Sequence, residues 1–299
     1  MLSKRNIVLA LMALGTVGIV SGFAPIPGVW SSTETRNTSL EGSAERGAYV
    51  IRLAGCIACH TDSKNGGAEL AGGRAFETPF GVFRSPNITP DQETGIGGWS
   101  LETFSDAVTK GLSPDGSHYY PAFPYTSYAK MSDQDVSDLK AYLDTVKPVN
   151  NVVPDHELSF PFSMREGLGV WKSMYFNDKK FEPNPNKSQS WNRGAYLVNG
   201  PGHCAECHTP RTFLGGLDKA EMFNGTKDSP EGEKVPNITN HPSLGIGKWG
   251  EMDVAFLLQM GLTPKGDSVG GSMGEVVRDG TAYYTQEDIL AVTEYLMNQ

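Results

Sequence analysis

Two short stretches of this 299-residue chain bring cysteine and histidine together: GCIACHT, with Cys56, Cys59 and His60, and HCAECHT, with Cys204, Cys207 and His208. In C-x-x-C-H two thiols lie about one helical turn apart, so both can add to the vinyl groups of one porphyrin. The adjacent imidazole then sits beneath the iron as proximal ligand. A zinc site would also use cysteine and histidine, but its paired knuckles lie much closer in sequence than Cys59 and Cys204. A redox dithiol needs a strand–helix setting, which nothing here provides. The four cysteines are used up by the two motifs, leaving none for a disulfide framework. The expectation is two covalently bound haem c groups, with His60 and His208 as proximal ligands.

What stands across from each histidine decides the chemistry. A methionine thioether gives a six-coordinate, high-potential iron; an open position points to catalysis. In the second half, GGSMGEVV presents Met273 in a Gly-flanked loop, whereas Met252 and Met260 fall in a predicted helix. Met273 is therefore the expected distal ligand there. The first half offers Met131, at the end of YYPAFPYTSYAKM. From the residues alone it reads equally as a ligand or as a hydrophobic staple on the helix that follows. Of the other histidines, His203 belongs at a haem edge, His156 and His241 read as loop-surface residues, and His118 stands in reserve as a ligand.

The elements that must hold these residues come in two copies. RGAYVIRLAGCIACHT at 46–61 matches RGAYLVNGPGHCAECHT at 193–209. PNIT at Pro86 and Pro236, Gly95-Ile96-Gly97 and Gly245-Ile246-Gly247, and Gly111-Leu112 and Gly261-Leu262 all recur at an offset of 150. SDQDVSDLKAYL at 132 matches TQEDILAVTEYL at 285, an offset of 153. At 150, Met273 falls opposite Phe123, which cannot bind iron. The fold expected is all-α. Each unit opens with a helix around RGAY and closes with an amphipathic helix capped at Ser132 or Thr285, with Asp135 or Asp288 three residues on. Gly47 and Gly194 lower helix propensity, so their predicted use is close contact with the closing helix, where Tyr142 or Tyr295 lies across them. The middle of each unit reads as loops long enough to need a buried cofactor to order them. The five aromatics Phe160, Phe162, Trp171, Tyr175 and Phe176 mark the connector as packed, with one helix and an extended strap.

The chain begins with a basic n-region and an apolar run from Ile7 to Val20, the pattern of an export signal. Pro25 would follow a cut after Ala24 and blocks it, and the apolar stretch through Ile26 approaches the ~20 residues of a membrane span. The balance favours a retained N-terminal anchor over release by cleavage. Residues 1–26 are thus signal or anchor, and 27–44 a polar tether. Lys4, Arg5 and Arg36 against Glu34 give the first 38 residues a net +2, which leaves −11 on the rest. That argues against nucleic acid as a partner and is compatible with docking to a basic protein patch, or with solubility alone.

With these segments in place, the chain resembles the multihaem cytochrome c subunits of membrane-bound alcohol, gluconate and related dehydrogenases. The resemblance covers roughly residues 45–299. It rests on RGAYV…CIACHT, PNITPD, GIGGWS, YYPAFPYTSY, FPFSMREGLGVWKSMYF, WNRGAYLVNGPGHCAECHTPR and the GGSM loop. Such subunits usually hold three haems; two motifs here imply a shorter, dihaem relative. The resemblance implies two tandem cytochrome c-like domains, 45–150 and 191–299, joined by a packed helical linker, 151–190. They would take electrons from a dehydrogenase and pass them to quinone, another cytochrome or an oxidase, on the periplasmic side of a bacterial inner membrane. Many members of that family carry methionine at the centre of the P-A-x-P-Y loop, where this chain has Phe123. Others pair phenylalanine there with a methionine eight residues on, which implies Met131 as the ligand. Arg211, and Arg46 or Arg193, are implied as structural or propionate partners. Phe123 keeps a different class open, a haem oxidoreductase of peroxidase or thiosulfate-dehydrogenase type with an open first iron. Against that class, the sequence has no further cysteine, no distal acid–base pair and no basic cluster at either motif.

Overall fold

A computed structural model describes residues 30–227, 229 and 232–299. The expected signal or anchor at 1–26 lies outside them. Among the described residues no helix is long and apolar enough to cross a membrane. In chain order the elements are α1 (Ala44–Leu53), α2 (Cys56–His60), β1 (Ala75–Thr78), β2 (Gly81–Arg84), α3 (Leu101–Lys110), α4 (Tyr125–Tyr128) and α5 (Asp133–Leu143). There follow β3 (Glu157–Leu158), α6 (Leu168–Tyr175), α7 (Gln189–Asn199), α8 (Ala205–His208), α9 (Glu251–Met260), α10 (Gly271–Asp279) and α11 (Gln286–Met297).

The architecture is largely helical but not all-α. β1, β2 and β3 form an antiparallel sheet in that order, with Phe76 opposite Phe83 and Gly81 opposite Leu158. The Gly- and Pro-rich stretch reads as loop in the sequence because its strands are short. Gly81 is what admits the third strand: a Cβ there would meet the Glu157 carbonyl oxygen at 2.2 Å. Met273 also differs from expectation, since GGSM opens α10 and does not form a loop.

α1 packs on α5 and α7 on α11, at the distance the glycines permit. A Cβ on Gly47 would lie 1.9 Å from the Asp138 carbonyl oxygen and 2.6 Å from the Tyr142 Cβ. One on Gly194 would lie 1.9 Å from the Ala291 carbonyl oxygen and 2.8 Å from the Tyr295 Cβ. The amphipathic faces of the closing helices fill two cores. Val136, Leu139 and Leu143 pack with Val50, Ile51 and Leu70; Ile289, Val292 and Leu296 pack with Leu197, Val198 and Val254.

The caps of the closing helices join the two halves. Ser132 Oγ accepts from Asp135 N at 3.0 Å and Thr285 Oγ1 from Asp288 N at 3.2 Å, as the sequence leads one to expect. In a capping box the acid would then turn back to the cap N–H. Here a tyrosine from the other half stands between them. Thr285 N donates to Tyr49 Oη at 3.0 Å, and Tyr49 Oη donates to Asp288 Oδ2 at 2.6 Å. Reciprocally, Ser132 N donates to Tyr196 Oη at 3.2 Å, and Tyr196 Oη donates to Asp135 Oδ2.

The connector and the N-terminal strap are bound, not free. Lys172 of α6 is fully buried, and its ammonium donates to the carbonyls of Lys110 (2.7 Å) and Gly111 (2.8 Å) and to His118 Nδ1 (2.9 Å). The rings of Trp30, Tyr125 and Phe176 surround it at 4.7–5.8 Å. Burial pushes this lysine down to about 7, while the carbonyls and ring faces favour its cation. Arg36, in the stretch expected to be a tether, is buried and donates to the carbonyls of Ala129 and Met131, the latter at 2.7 Å.

Candidate haem sites

α2 starts after Gly55, whose left-handed φ of 64° turns the chain out of α1 and sets Cys56 and Cys59 on one helical turn. α8 carries Cys207 and His208 directly after Cys204. Cys56 and Cys204 are half-buried, and burial pushes both up to about 12. His60 and His208 are each 8% exposed, and burial lowers the pKa of both.

The two imidazoles are held in the same way. Nδ1 of His60 lies 2.7 Å from the Pro86 carbonyl oxygen, and Nδ1 of His208 lies 2.8 Å from that of Pro236. A carbonyl only accepts, so each Nδ1 carries the proton and each Nε2 keeps a lone pair for a metal. The threonine after each histidine closes the arrangement. Thr61 Oγ1 accepts from Leu70 N at 3.1 Å, and Ile88 N donates to the Leu70 carbonyl at 2.9 Å. Thr209 Oγ1 accepts from Phe223 N at 3.0 Å, and Ile238 N donates to the Phe223 carbonyl at 2.9 Å. Leu70 and Phe223 both have positive φ, 61° and 62°, so the same strained turn is built twice. The PNIT repeat was visible in the sequence, but its job of supplying a prolyl carbonyl was not. A lone repeat offset gives position and no chemistry.

Both motifs open on one cavity of about 1720 Å³, lined by Cys59, His60, Met131 and Trp99 and by Cys207, His208, Met273 and Trp249. Met131 is fully buried and packs in the same core cluster as Val136, which matches the staple reading, and it also lines the cavity. Phe123 lines the cavity too, edge-on to Tyr119 and Tyr128. His203 lines it with its ring 5.6 Å from that of Tyr128. His156 is no surface residue: it is half-buried against Phe83 and Tyr120 and lines the cavity. His241 is exposed, as expected. His118 is absent from the lining and serves Lys172. Arg46 and Arg193 pair with Asp138 (2.6 Å) and Asp288 (2.8 Å) away from the cavity, which makes them structural.

The residues present suit haem. Among the described residues, Arg84 Nη1 and Arg211 Nε are buried donors without a protein partner, and both arginines line the cavity. Such donors fit the propionates that haem would bring. The volume exceeds the roughly 300–1,000 Å³ of a pocket for one small ligand.

Comparison with known proteins agrees. A cytochrome c family model matches residues 44–147. A diheme cytochrome c-type protein of Cereibacter sphaeroides is 41% identical over 278 residues, covering 90% of this chain and 92% of its own length. The chain belongs to the cytochrome c family. The fructose dehydrogenase cytochrome subunit of Gluconobacter japonicus is 41% identical over 256 residues, 85% of the cytochrome and 52% of that protein. The gluconate 2-dehydrogenase cytochrome c subunit of Pantoea cypripedii is 38% identical over 261 residues, 84% of the cytochrome and 58% of that subunit. The cytochrome thus spans about half the length of these dehydrogenase relatives. It is an electron-transfer protein with haem c as prosthetic group, and the haem-enzyme alternative is not favoured by its relatives.

Proposed function

We propose that the cytochrome is a dihaem electron carrier built as two tandem cytochrome c domains, 45–150 and 191–299, with 151–190 as linker. Cys56 and Cys59 would hold one haem and Cys204 and Cys207 the other. His60 and His208 would be the proximal ligands, Met131 and Met273 the distal ones. When bound, haem c supplies a one-electron iron couple. The chain's part is to fix the imidazoles through Pro86 and Pro236, to offer thioethers that raise the potential, and to keep water out with apolar walls. The observation that carries this reading is the duplicated imidazole–prolyl carbonyl bond at both motifs.

The dehydrogenase relatives suggest the donor, a dehydrogenase on the periplasmic side of a bacterial inner membrane, with quinone, another cytochrome or an oxidase as acceptor. Residues 1–26 would anchor the chain there. The test is the long-wavelength absorption band of methionine-ligated ferric haem, recorded on the native protein, Met131→Ala and Met273→Ala. Each variant is expected to lose about half of the band, and the haem content by mass to stay at two per chain. A Met131→Ala protein with its band unchanged would refute that ligand. Rapid cyanide binding to one iron of the native protein would favour the haem-enzyme reading instead.

A further inference from the structure

The segments that bear Met131 and Met273 are each fastened to the opposite attachment motif. α4, three residues ahead of Met131, is bonded to Glu206, which sits between Cys204 and Cys207. Thr126 Oγ1 donates to Glu206 Oε1 at 2.7 Å and Ser127 Oγ to the same oxygen at 3.0 Å, while Arg211 Nη2 donates to Oε2 at 2.7 Å. α10, which bears Met273, presents Glu275 to Arg74, whose Nη1 donates to Glu275 Oε2 at 2.6 Å and to the Ala58 carbonyl, between Cys56 and Cys59, at 2.7 Å. All four ionised groups line the shared cavity. The Thr126 and Ser127 bonds to Glu206 and the Arg74–Glu275 pair span from one half of the chain to the other, while Arg211 holds Glu206 from within the second half.

We infer that the bonds from α4 to Glu206 and the Arg74–Glu275 pair cross-couple the haem sites, so that the methionine segment of each site is positioned by the attachment motif of the other. Glu206 and Glu275 are the positioning residues. The inference rests on the proposed methionine ligands. It goes beyond them in requiring each site to respond to a change in the other, by linkage equally in both directions. A carboxylate near iron favours the ferric state, so neutralising one raises the potential of any haem it acts on.

The test uses the full-length haem-loaded protein and the variants Glu206→Gln, Glu275→Gln and Thr126→Val/Ser127→Ala. The last keeps the Glu206 charge and cuts only its link to α4. Met131→Ala and Met273→Ala assign the spectral bands to sites. Glu206→Gln is expected to raise both midpoint potentials and to weaken the Met131 band; Glu275→Gln is expected to raise both and to weaken the Met273 band. Thr126→Val/Ser127→Ala should weaken the Met131 band and leave the second site's potential in place. Glu206→Asp, which keeps the charge, should restore the potentials. Changes confined to the second site in Glu206→Gln, or to one site in Glu275→Gln, overturn the coupling. If the methionine variants keep their bands, the ligand reading fails, and the paired potential shifts alone decide the coupling. A far-ultraviolet circular dichroism spectrum unchanged from wild type separates these effects from unfolding.

Discussion

At the scale of single residues, the motif cysteines and histidines announce themselves because covalent chemistry fixes their spacing. Their supports do not, because a backbone carbonyl at Pro86 or a hydroxyl at Thr61 has no signature beyond recurrence. Met131 is the case between. Its burial and its place ahead of the Ser132 cap serve packing, and its presence in the cavity wall leaves it available for the proposed ligation as well. The backbone around it is held by Arg36, whose guanidinium bridges the Ala129 and Met131 carbonyls and pairs with Asp133 at 3.2 Å. Arg36→Met is expected to strand those carbonyls and to cost about 1.5–3 kcal/mol of stability, the usual worth of charged hydrogen bonds. Chemical denaturation measures the cost, and loss of intensity in the Met131 band would report the loosened turn.

At the scale of elements, helix periodicity and glycine placement made the closing helices and their contacts legible. Val136, Leu139, Leu143 and their counterparts are buried, and Gly47 and Gly194 sit against the closing helices. Gly194→Ala should force α7 away from α11 and cost about 1–3 kcal/mol through overpacking, read as a lowered melting temperature. The sheet was not legible, because a two-residue β3 carries no alternation. The tyrosine-bridged caps were not legible either, since the partners Tyr49 and Asp288 are 239 residues apart. Tyr49→Phe and Tyr196→Phe should each cost about 1.5 kcal/mol and add, being separate caps.

The same caps give a pH dependence. Burial pushes the Asp288 carboxyl up, but the Arg193 and Tyr49 hydrogen bonds outweigh it and hold the pKa below the ordinary 3.8. A depressed folded pKa means that the stabilisation is whole above 3.8 and is lost as pH falls below it through the folded value. Urea denaturation between pH 6 and about 2 should therefore show a falling stability that Asp288→Asn flattens.

At the scale of the whole molecule, the repeat foretold two equivalent sites, whereas their shared cavity and cross-bonds come from tertiary packing that no local pattern records. The connector contributes through Lys172, which ties α6 to the end of α3 and, through Trp30, to the N-terminal strap. Lys172→Met leaves the Lys110 carbonyl without its donor, while the Gly111 carbonyl keeps Tyr119 N, and should cost about 1–3 kcal/mol. Limited proteolysis is expected to cut the variant first between 151 and 190, and a cleavage pattern equal to that of the native protein would refute the anchoring role.

The crossed tyrosines have a consequence for how the chain is divided. Each half owns one donor hydroxyl and one helix start that lacks its own. That is the inventory of one protomer in a two-fold dimer, where a patch meets its own copy. The crossed bonds give a single polypeptide the reciprocal contacts that such a dimer would make between two chains. A half expressed by itself would have a loose end to its closing helix and a spare tyrosine to offer, and a second copy of the same half would be the nearest thing to its missing neighbour.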